Sequence, residues 1–172
     1  LKIPRCISAA GLDVDLTSGD GSQLELHHFC DASTAAYGVV SYVRCVTDLS
    51  CRLLSSKARL APMNPLSVPR LELAAATLAV KCDVDLKRAL KIDVPTYFWT
   101  DSSTVLKYIQ NEKTRFHVFV ANRLAIIHDG SKVEQWHYIP SDCNPADLVS
   151  RGVNAGSLIH SDLWKFGPSF LQ

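Results

Sequence analysis

The sequence predicts an α/β layered domain with a mixed sheet, and two observations carry that prediction. Three strand-like runs follow one another closely between residues 24 and 60, which indicates an antiparallel meander. From residue 67 onward, apolar positions recur at helical spacing, and helix and strand patterns then alternate. A meander followed by alternating helices and strands predicts a mixed sheet covered by helices.

The meander strands are expected at 24–30, 37–45 and 51–60. The first alternates apolar positions and ends at Asp31, and the second (YGVVSYVRC) is rich in β-branched and aromatic residues. The third (CRLLSSKARL) follows after a short connection, and this close spacing favours antiparallel pairing.

A long helix is expected next, because Ser67 can cap it, Pro69 suits its first turn and apolar positions continue to about Leu90. Further elements are predicted as a strand at 94–100, a short helix ending at 110, a helix at 116–128, a strand at 134–139 and a short helix at 144–151. The predicted order is β-β-β-α-β-α-α-β-α.

The chain of 172 residues suits one domain of ordinary size, with additional segments at both ends. Residues 1–23 lack periodicity and contain SGDGS, a linker signal, so we expect a connecting segment there. The domain proper is expected at 24–152, and 153–172 is expected to be a C-terminal tail. Because the chain opens on Leu1, we expect it to be a piece of a larger protein.

Composition excludes several classes of protein. Lys and Arg number 18 against 17 Asp and Glu, so the chain does not coat nucleic acid through bulk charge. A hydrophobic share of 47% excludes wholesale disorder. No apolar run approaches the ~20 residues of a membrane span, and no secretory signal is visible. The six cysteines form no CxxC pair, which favours a reducing environment without disulfides.

One stretch of the chain is strongly basic despite the overall balance. Between residues 44 and 70 a single acid, Asp48, opposes five bases, which are Arg44, Arg52, Lys57, Arg59 and Arg70. A solvated strand face and a local nucleic-acid surface both fit this pattern.

Four acids stand where a strand ends or a helix runs, and each has an ordinary alternative role. Asp31 could be a turn residue, and Asp101 could cap a helix, as could Ser102 or Ser103. Glu72 lies in a largely apolar helix, where a carboxylate is costly unless paired, although the helix dipole and Arg70 could stabilise it. Taken alone, Asp147 is an ordinary acid in the first turn of a short helix.

As a set, these four acids supply the hard oxygen ligands that Mg²⁺ requires. A pair of such ions can activate water and stabilise the leaving oxygen in phosphodiester cleavage. Without a metal, four close carboxylates would repel one another.

Several motifs carry a resemblance that covers essentially the whole chain. They are FCDAS at 29–33 leading into AYGVV at 36–40, VPRLEL at 68–73, WTDS at 99–102 and NPADLVSRG at 144–152. In this order they resemble the ribonuclease H domain of an LTR retrotransposon polyprotein. The PRLEL segment, LWKFGP at 163–168 and IPR at 3–5 resemble the BEL/Pao group in particular.

The resemblance implies a ribonuclease H fold, with a five-stranded mixed sheet whose first three strands are antiparallel and with helices on both faces. It also implies two Mg²⁺ ions, with Mn²⁺ as a substitute. Asp31 would bridge the ions, Glu72 and Asp101 would hold the leaving-group ion, and Asp147 would complete the water-activating ion. The expected reaction cleaves the RNA strand of an RNA–DNA hybrid, leaving 5′-phosphate and 3′-hydroxyl ends.

The resemblance further implies an upstream reverse transcriptase domain in the same polyprotein. The expected location is a cytoplasmic retroelement particle or the nucleus, with no membrane association. Candidate substrate contacts share a hydroxyl, amide or positive charge near these motifs, although a surface or capping role fits each equally well. They are Ser33, Ser102, Ser103, Lys57, Arg70 and Arg123, together with Arg59 and Asn122.

One departure from the family pattern concerns a loop histidine that many ribonucleases H carry before the final helix. The corresponding stretch, 140–144 (PSDCN), has none, and His137 belongs to a strand pattern. We therefore expect lower turnover than in relatives with that histidine.

Two rival functions share this fold. One is a catalytically silent module that binds or scaffolds nucleic acid, although the presence of all four acids argues against it. The other is a DNA-directed nuclease or strand transferase with a similar acidic cluster. An aspartic protease is excluded, because no second half or glycine-rich flap is present.

Overall fold

The computed structural model describes residues 6–7, 14–15, 24–111, 113 and 115–172. Two short strands, β1 (Cys6–Ile7) and β2 (Val14–Asp15), pair antiparallel. The rest of the connecting segment predicted at 1–23 lies outside the described residues.

A five-stranded mixed sheet forms the centre of the domain. Its strands are β3 (Leu24–Ala32), β4 (Ala36–Cys45), β5 (Cys51–Leu60), β6 (Thr96–Thr100) and β7 (Trp136–Tyr138), arranged in the order β5-β4-β3-β6-β7. The pairs β3–β4 and β4–β5 are antiparallel, whereas β3–β6 and β6–β7 are parallel. The predicted fold class is therefore confirmed.

Six α-helices surround this sheet in the described part of the chain. They are α1 (Val68–Leu90), α2 (Ser103–Gln110), α3 (Val118–Gly130), α4 (Asp147–Arg151), α5 (Ala155–His160) and α6 (Asp162–Phe166). Short 3₁₀ turns cover Val133–Gln135, Ser141–Cys143 and Ser169–Leu171. Ser67 is the N-cap residue of α1, although its backbone carbonyl rather than its hydroxyl accepts the first hydrogen bonds.

Alternation along the strands divides the core between the two sheet faces. Cys30 and Val39 face a cluster built from α1, α2 and α3. Their neighbours Phe29 and Val40 belong to a second cluster, which contains Ala146 and Leu171 from the end of the chain. Helices and turns thus cover both faces, as side-chain alternation in strands requires.

The later elements are shorter than predicted. The strand expected at 134–139 is reduced to Trp136–Tyr138, because the Gln135 side chain closes a 3₁₀ turn on Lys132 N and bonds the Thr96 carbonyl. The helix expected at 144–151 begins at Asp147, because the Asn144 side chain bonds Ala146 N and Cys30 O.

Residues 153–172 pack against β4 in this structure. The Tyr42 hydroxyl lies 3.0 and 2.9 Å from the Leu163 and Trp164 carbonyls, and Arg44 Nε donates to Leu171 O at 2.7 Å. Leu171 is buried. A domain boundary at residue 152 stays a prediction. Among the described helices, none has the length and apolarity that crossing a bilayer requires.

A buried polar cluster joins β3, β4, β6 and α1. His28 contacts Ser41 Oγ through Nδ1 at 2.8 Å and Asp83 Oδ1 through Nε2 at 3.2 Å. Thr96 Oγ1 donates to the same carboxylate oxygen at 2.8 Å, and Lys87 pairs with Asp83 at 3.2 Å. Burial opposes ionisation of Asp83, but these donors outweigh it and lower its pKa.

Gly38 lies where α4 and β5 approach β4 most closely. A Cβ at this position would be 2.6 Å from Val149 Cγ1 and 2.9 Å from the Lys57 carbonyl. We expect Gly38→Ala to lower the free energy of unfolding by about 2 kcal/mol, because both neighbours have to shift. Chemical denaturation measures the change. In the matched control Gly156→Ala the nearest atom is 3.4 Å away, and equal stability of the two variants would contradict this packing.

Candidate active site

Parallel pairing of β3 and β6 brings two of the predicted acids to one edge of the sheet. Cys30 pairs with Thr100, so Asp31 and Asp101 are the next residues on adjacent strands. Neighbouring strands lie about 4.8 Å apart, which places the two backbones side by side at the carboxyl ends.

Two helices bring the other two acids to the same edge. Glu72 lies in the second turn of α1, between the buried residues Leu71 and Leu73. Asp147 is the first residue of α4, which packs on β3 and β4. The side-chain amide of Asn144 anchors the turn before α4 by donating to Cys30 O at 3.2 Å.

Charge interactions connect the four carboxylates to the end of β3, through their effects on Asp31 and Cys30. Burial, together with the charges of Asp101 and Asp147, raises the pKa of Asp31 to about 6, against an opposing hydrogen bond from Ser150. The Cys30 thiol is buried beneath the edge. Burial raises its pKa most, and the charges of Asp31, Asp101 and Glu72 add to that shift.

Each carboxylate has its own polar partner. Ser102 Oγ donates to Glu72 and Ser141 Oγ donates to Asp101, both at 2.5 Å. Ser150 Oγ donates to Asp31, and Arg151 Nε forms an ion pair with Asp147 at 2.5 Å. These contacts offset the repulsion among the acids and set the direction of each carboxylate.

The alternative explanation for Glu72, in which the helix dipole and a pairing with Arg70 stabilise its carboxylate, is wrong. The first turn of α1 contains no acid, and the Glu72 carboxylate accepts from Ser102 rather than pairing with Arg70. The Arg70 guanidinium lies 5.5 Å from the Phe119 ring centroid on α3.

The donor set has the chemistry that Mg²⁺ binding requires. Four carboxylates lie at or beside this edge of the sheet, and carboxylate oxygens are hard ligands of the kind that Mg²⁺ prefers. Among the residues that the structure describes, however, no three His, Cys, Asp or Glu side chains form a ready-made metal site. The residue types therefore suit a Mg²⁺ ion. The orientations of the four carboxylates in this structure are set by their serine and arginine partners.

The predicted serine contacts have structural roles in this fold. Ser33 Oγ donates to Ser150 O at 2.6 Å and accepts from the amides of Ala35 and Ala36, which joins the β3–β4 turn to α4. Ser102 caps α2 by accepting from Val105 N. Ser103 is exposed at the start of α2.

The predicted basic contacts lie beside the acids rather than among them. Lys57 is exposed on β5, and Arg70 is exposed at the start of α1. The guanidinium carbon of Arg123 lies 3.4 Å from the Phe119 ring centroid, so Arg70 and Arg123 both contact that ring. His137 lies in β7 against Trp99, with ring centroids 4.9 Å apart, as its strand pattern predicted.

Sequence reasoning did not identify three polar partners of the acids. Arg151 could have been found, because it follows Asp147 at the i,i+4 spacing of helical ion pairs. Ser141 and Ser150 gave no comparable signal, since they contact Asp101 and Asp31 across 40 and 119 residues of sequence.

Several solved structures with this architecture are ribonucleases H. The N-terminal RNase H domain of a Mycobacterium tuberculosis protein, solved as a maltose-binding-protein fusion, matches with a TM-score of 0.54 at 13% identity, covering 74% of this chain and 91% of that one. LC11-RNase H1 in complex with an RNA/DNA hybrid matches at 0.51 and 15%, covering 73% and 92%.

A retroviral protein shares the fold as well. The protease-reverse transcriptase of prototype foamy virus matches with a TM-score of 0.50 at 14% identity, covering 77% of this chain but 21% of that one. At these identities the matches establish a ribonuclease H fold. No curated protein matches the sequence.

The family is established by a sequence model. The model of the Pao retrotransposon-like RNaseH-like domain matches residues 1–102, more than half of the chain. The chain therefore belongs to that family, as its motifs predicted. The matched region contains Asp31, Glu72 and Asp101, whereas Asp147 lies beyond it.

The raised pKa of Asp31 predicts how stability depends on pH in the metal-free protein. The Asp31 carboxyl holds its proton more tightly in the folded chain than in the unfolded chain. The free energy of unfolding therefore decreases as pH rises from about 4 to about 6, and it does not recover above that. We expect Asp31→Asn to stabilise the protein by up to about 2 kcal/mol at about pH 7.5 and to have no effect near pH 4.

Thermal unfolding in EDTA at the two pH values measures this difference. Asp142→Asn, which removes an exposed acid from the nearby 3₁₀ turn, is the matched control. An Asp31→Asn protein less stable than wild type at the higher pH would contradict the repulsion among the acids.

Proposed function

We propose that this domain is a Mg²⁺-dependent ribonuclease H that hydrolyses the RNA strand of RNA–DNA hybrids during retroelement reverse transcription. The proposal rests on four carboxylates at one edge of the sheet, supplied by β3, the residue after β6, α1 and α4. Membership of the Pao family and the ribonuclease H fold support it.

In this proposal Asp31, Glu72, Asp101 and Asp147 hold two Mg²⁺ ions, with Mn²⁺ as a substitute. Bound ions of this kind activate water and stabilise the leaving oxygen of a phosphodiester. The hydroxyls of Ser102, Ser141 and Ser150 direct three of the carboxylates, and Arg151 directs the fourth. The chain thus contributes positioned negative charge rather than a nucleophile of its own.

The proposed substrate contacts are one serine next to Asp101 and three basic residues on neighbouring elements. Ser103 lies exposed beside Asp101 at the N-terminus of α2, where backbone amides attract phosphate. Lys57, Arg70 and Arg123 supply charge on the α1 side of the sheet. The hydroxyls of Ser33 and Ser102 are engaged within the protein, so we assign these two residues to shaping the site.

The proposed partner is a reverse transcriptase domain upstream in the same polyprotein, which would hold the hybrid. The likeness to the foamy virus protease-reverse transcriptase supports this arrangement. The proposed catalytic unit spans 24–152, and its proposed location is a retroelement particle in the cytoplasm or the nucleus.

A catalytically silent, nucleic-acid-binding domain is the second candidate. One observation favours it: every acid already has a serine or arginine partner, and no three metal-binding side chains form a ready-made site in the described part of the chain. Metal binding therefore separates the two candidates.

Cleavage of an end-labelled RNA–DNA hybrid with Mg²⁺ tests the proposal. We expect cuts in the RNA strand alone, and a loss of at least about a hundredfold in Asp31→Asn, Asp147→Asn and EDTA, because ligand removal abolishes charge stabilisation. Asp142→Asn again serves as the control and should cleave normally.

A DNA duplex and a fusion to the upstream reverse transcriptase complete the design. Cleavage of the DNA duplex would favour a DNA-directed nuclease of the same fold. No cleavage by folded protein, alone or fused, would establish the silent domain.

The loop without histidine gives a separate prediction. Cys143 is exposed in the 3₁₀ turn that precedes the Asp147 helix. We expect Cys143→His to raise kcat by up to about tenfold, because an added imidazole can assist proton transfer or product departure. Cys143→Ser is the matched control. Equal kcat values for the two variants would show that the loop histidine does not limit turnover here.

A further inference from the structure

The last residue of α4, Arg151, pairs with one of the four acids. Its Nε lies 2.5 Å from Asp147 Oδ1, one helical turn earlier in the chain. Of the salt bridges described in the structure, this one alone includes any of the four acids. The other three carboxylates accept hydrogen bonds from serine hydroxyls. Asp147 is therefore the acid whose charge is already offset by a cation of the chain.

Arg151 makes this contact with only part of its guanidinium group. Nε donates to Asp147, whereas the two terminal nitrogens form no hydrogen bond within the described residues. A guanidinium binds a carboxylate or a phosphate most strongly through two parallel N–H groups, and this contact uses one. The Arg151 side chain is 71% exposed, against 31% for Asp147. Its free donors are therefore accessible to an anion that approaches from solvent.

Arg151 also interacts with two further acids through their charges. Its hydrogen bond to Asp147 and the charge of that acid raise the pKa of Arg151, and the charges of Asp31 and Asp101 add to the shift. A divalent cation held by these carboxylates would repel the guanidinium, because the same negative charges attract both. Arg151 and the proposed Mg²⁺ ion thus compete for Asp147.

Little in the fold holds Arg151 at Asp147. An exposed ion pair is weak, since water and salt screen it. Gly152, the next residue, has a φ of 80°, and a Cβ placed there would have no atom within 4 Å. The end of α4 is thus uncrowded, and the arginine side chain can turn toward another anion. A phosphodiester offers two unesterified oxygens, an arrangement that a guanidinium binds through two hydrogen bonds.

We propose that Arg151 exchanges partners when the hybrid binds. Its guanidinium leaves Asp147 for a backbone phosphate of the hybrid, and the Asp147 carboxylate becomes free to hold a Mg²⁺ ion. The inference rests on the proposed function and adds to it a residue that couples metal binding to hybrid binding. Such a coupling is reciprocal, so each ligand raises the affinity for the other.

Mg²⁺ affinity of the full chain without hybrid, measured by isothermal titration calorimetry, tests the competition. We expect Arg151→Gln to bind Mg²⁺ about three- to tenfold more tightly than wild type, because one repelling positive charge is removed. Arg151→Lys keeps that charge and should bind like wild type. A residue that only positioned Asp147 would give the opposite sign, since its loss would weaken Mg²⁺ binding.

Arg88→Gln is the matched control. Arg88 also belongs to an exposed helical ion pair, with Asp85 at 3.9 Å near the end of α1. The substitution removes the same charge from the surface, so it should leave both the Mg²⁺ affinity and the KM for the hybrid unchanged.

Cleavage measured over a matrix of hybrid and Mg²⁺ concentrations tests the second half of the exchange. In wild type, we expect higher hybrid concentrations to lower the Mg²⁺ concentration that gives a half-maximal rate. Arg151→Gln should raise KM about five- to tenfold and weaken this dependence, because the phosphate contact and the competition are lost together. Arg151→Lys should retain both.

The outcomes distinguish this inference from the proposed function. Mg²⁺-dependent cleavage by wild type, with an Arg151→Gln protein that binds Mg²⁺ no more tightly, would overturn the exchange alone. Tighter Mg²⁺ binding in Arg151→Gln with an unchanged KM would also overturn it, since no phosphate would then replace Asp147. A folded wild type that neither binds Mg²⁺ nor cleaves the hybrid, alone or fused to the reverse transcriptase, would overturn both.

Discussion

The parallel pairing of β3 with β6 is the constraint on which the candidate site depends. It makes Asp31 and Asp101 neighbours although 70 residues of sequence separate them. The buried carboxylate of Asp83 secures this pairing, because it accepts from His28 on β3 and Thr96 on β6 while standing on α1. An ionised carboxylate only accepts, so His28 must carry its proton on Nε2. One buried acid thus fixes the helix that carries Glu72 relative to both strands.

The edge of the sheet that carries Asp31, Glu72, Asp101 and Asp147 combines repulsion among carboxylates with contacts that offset it. Four carboxylates near one another cost folding free energy, and burial of Asp31 adds to that cost. Serine hydroxyls offset part of it without adding charge, and the Arg151 guanidinium adds a positive charge beside Asp147. The same repulsion that lowers the stability of the protein would favour binding of the proposed cation.

The sequence predicted the features that depend on local pattern. Strand alternation, the apolar face of α1 and the presence of the four acids at strand ends or in helices could be predicted, since each pattern extends over a few residues. The hydrogen-bond partners of the acids could not be predicted from local pattern, because Ser150 contacts Asp31 across 119 residues of sequence. The shortened β7 depends on a side-chain contact of Gln135, which reaches the Thr96 carbonyl across 39 residues of sequence.

The contact of the last residues with β4 has a consequence for where the chain can be shortened. Tyr42 and Arg44 hold the backbone carbonyls of Leu163, Trp164 and Leu171, and Leu171 joins Phe29 and Val40 in one apolar cluster. A chain that ended soon after Gly152 would expose that cluster to solvent as an apolar surface that is prone to association. A shortened chain that keeps this cluster covered must therefore retain the residues up to Leu171.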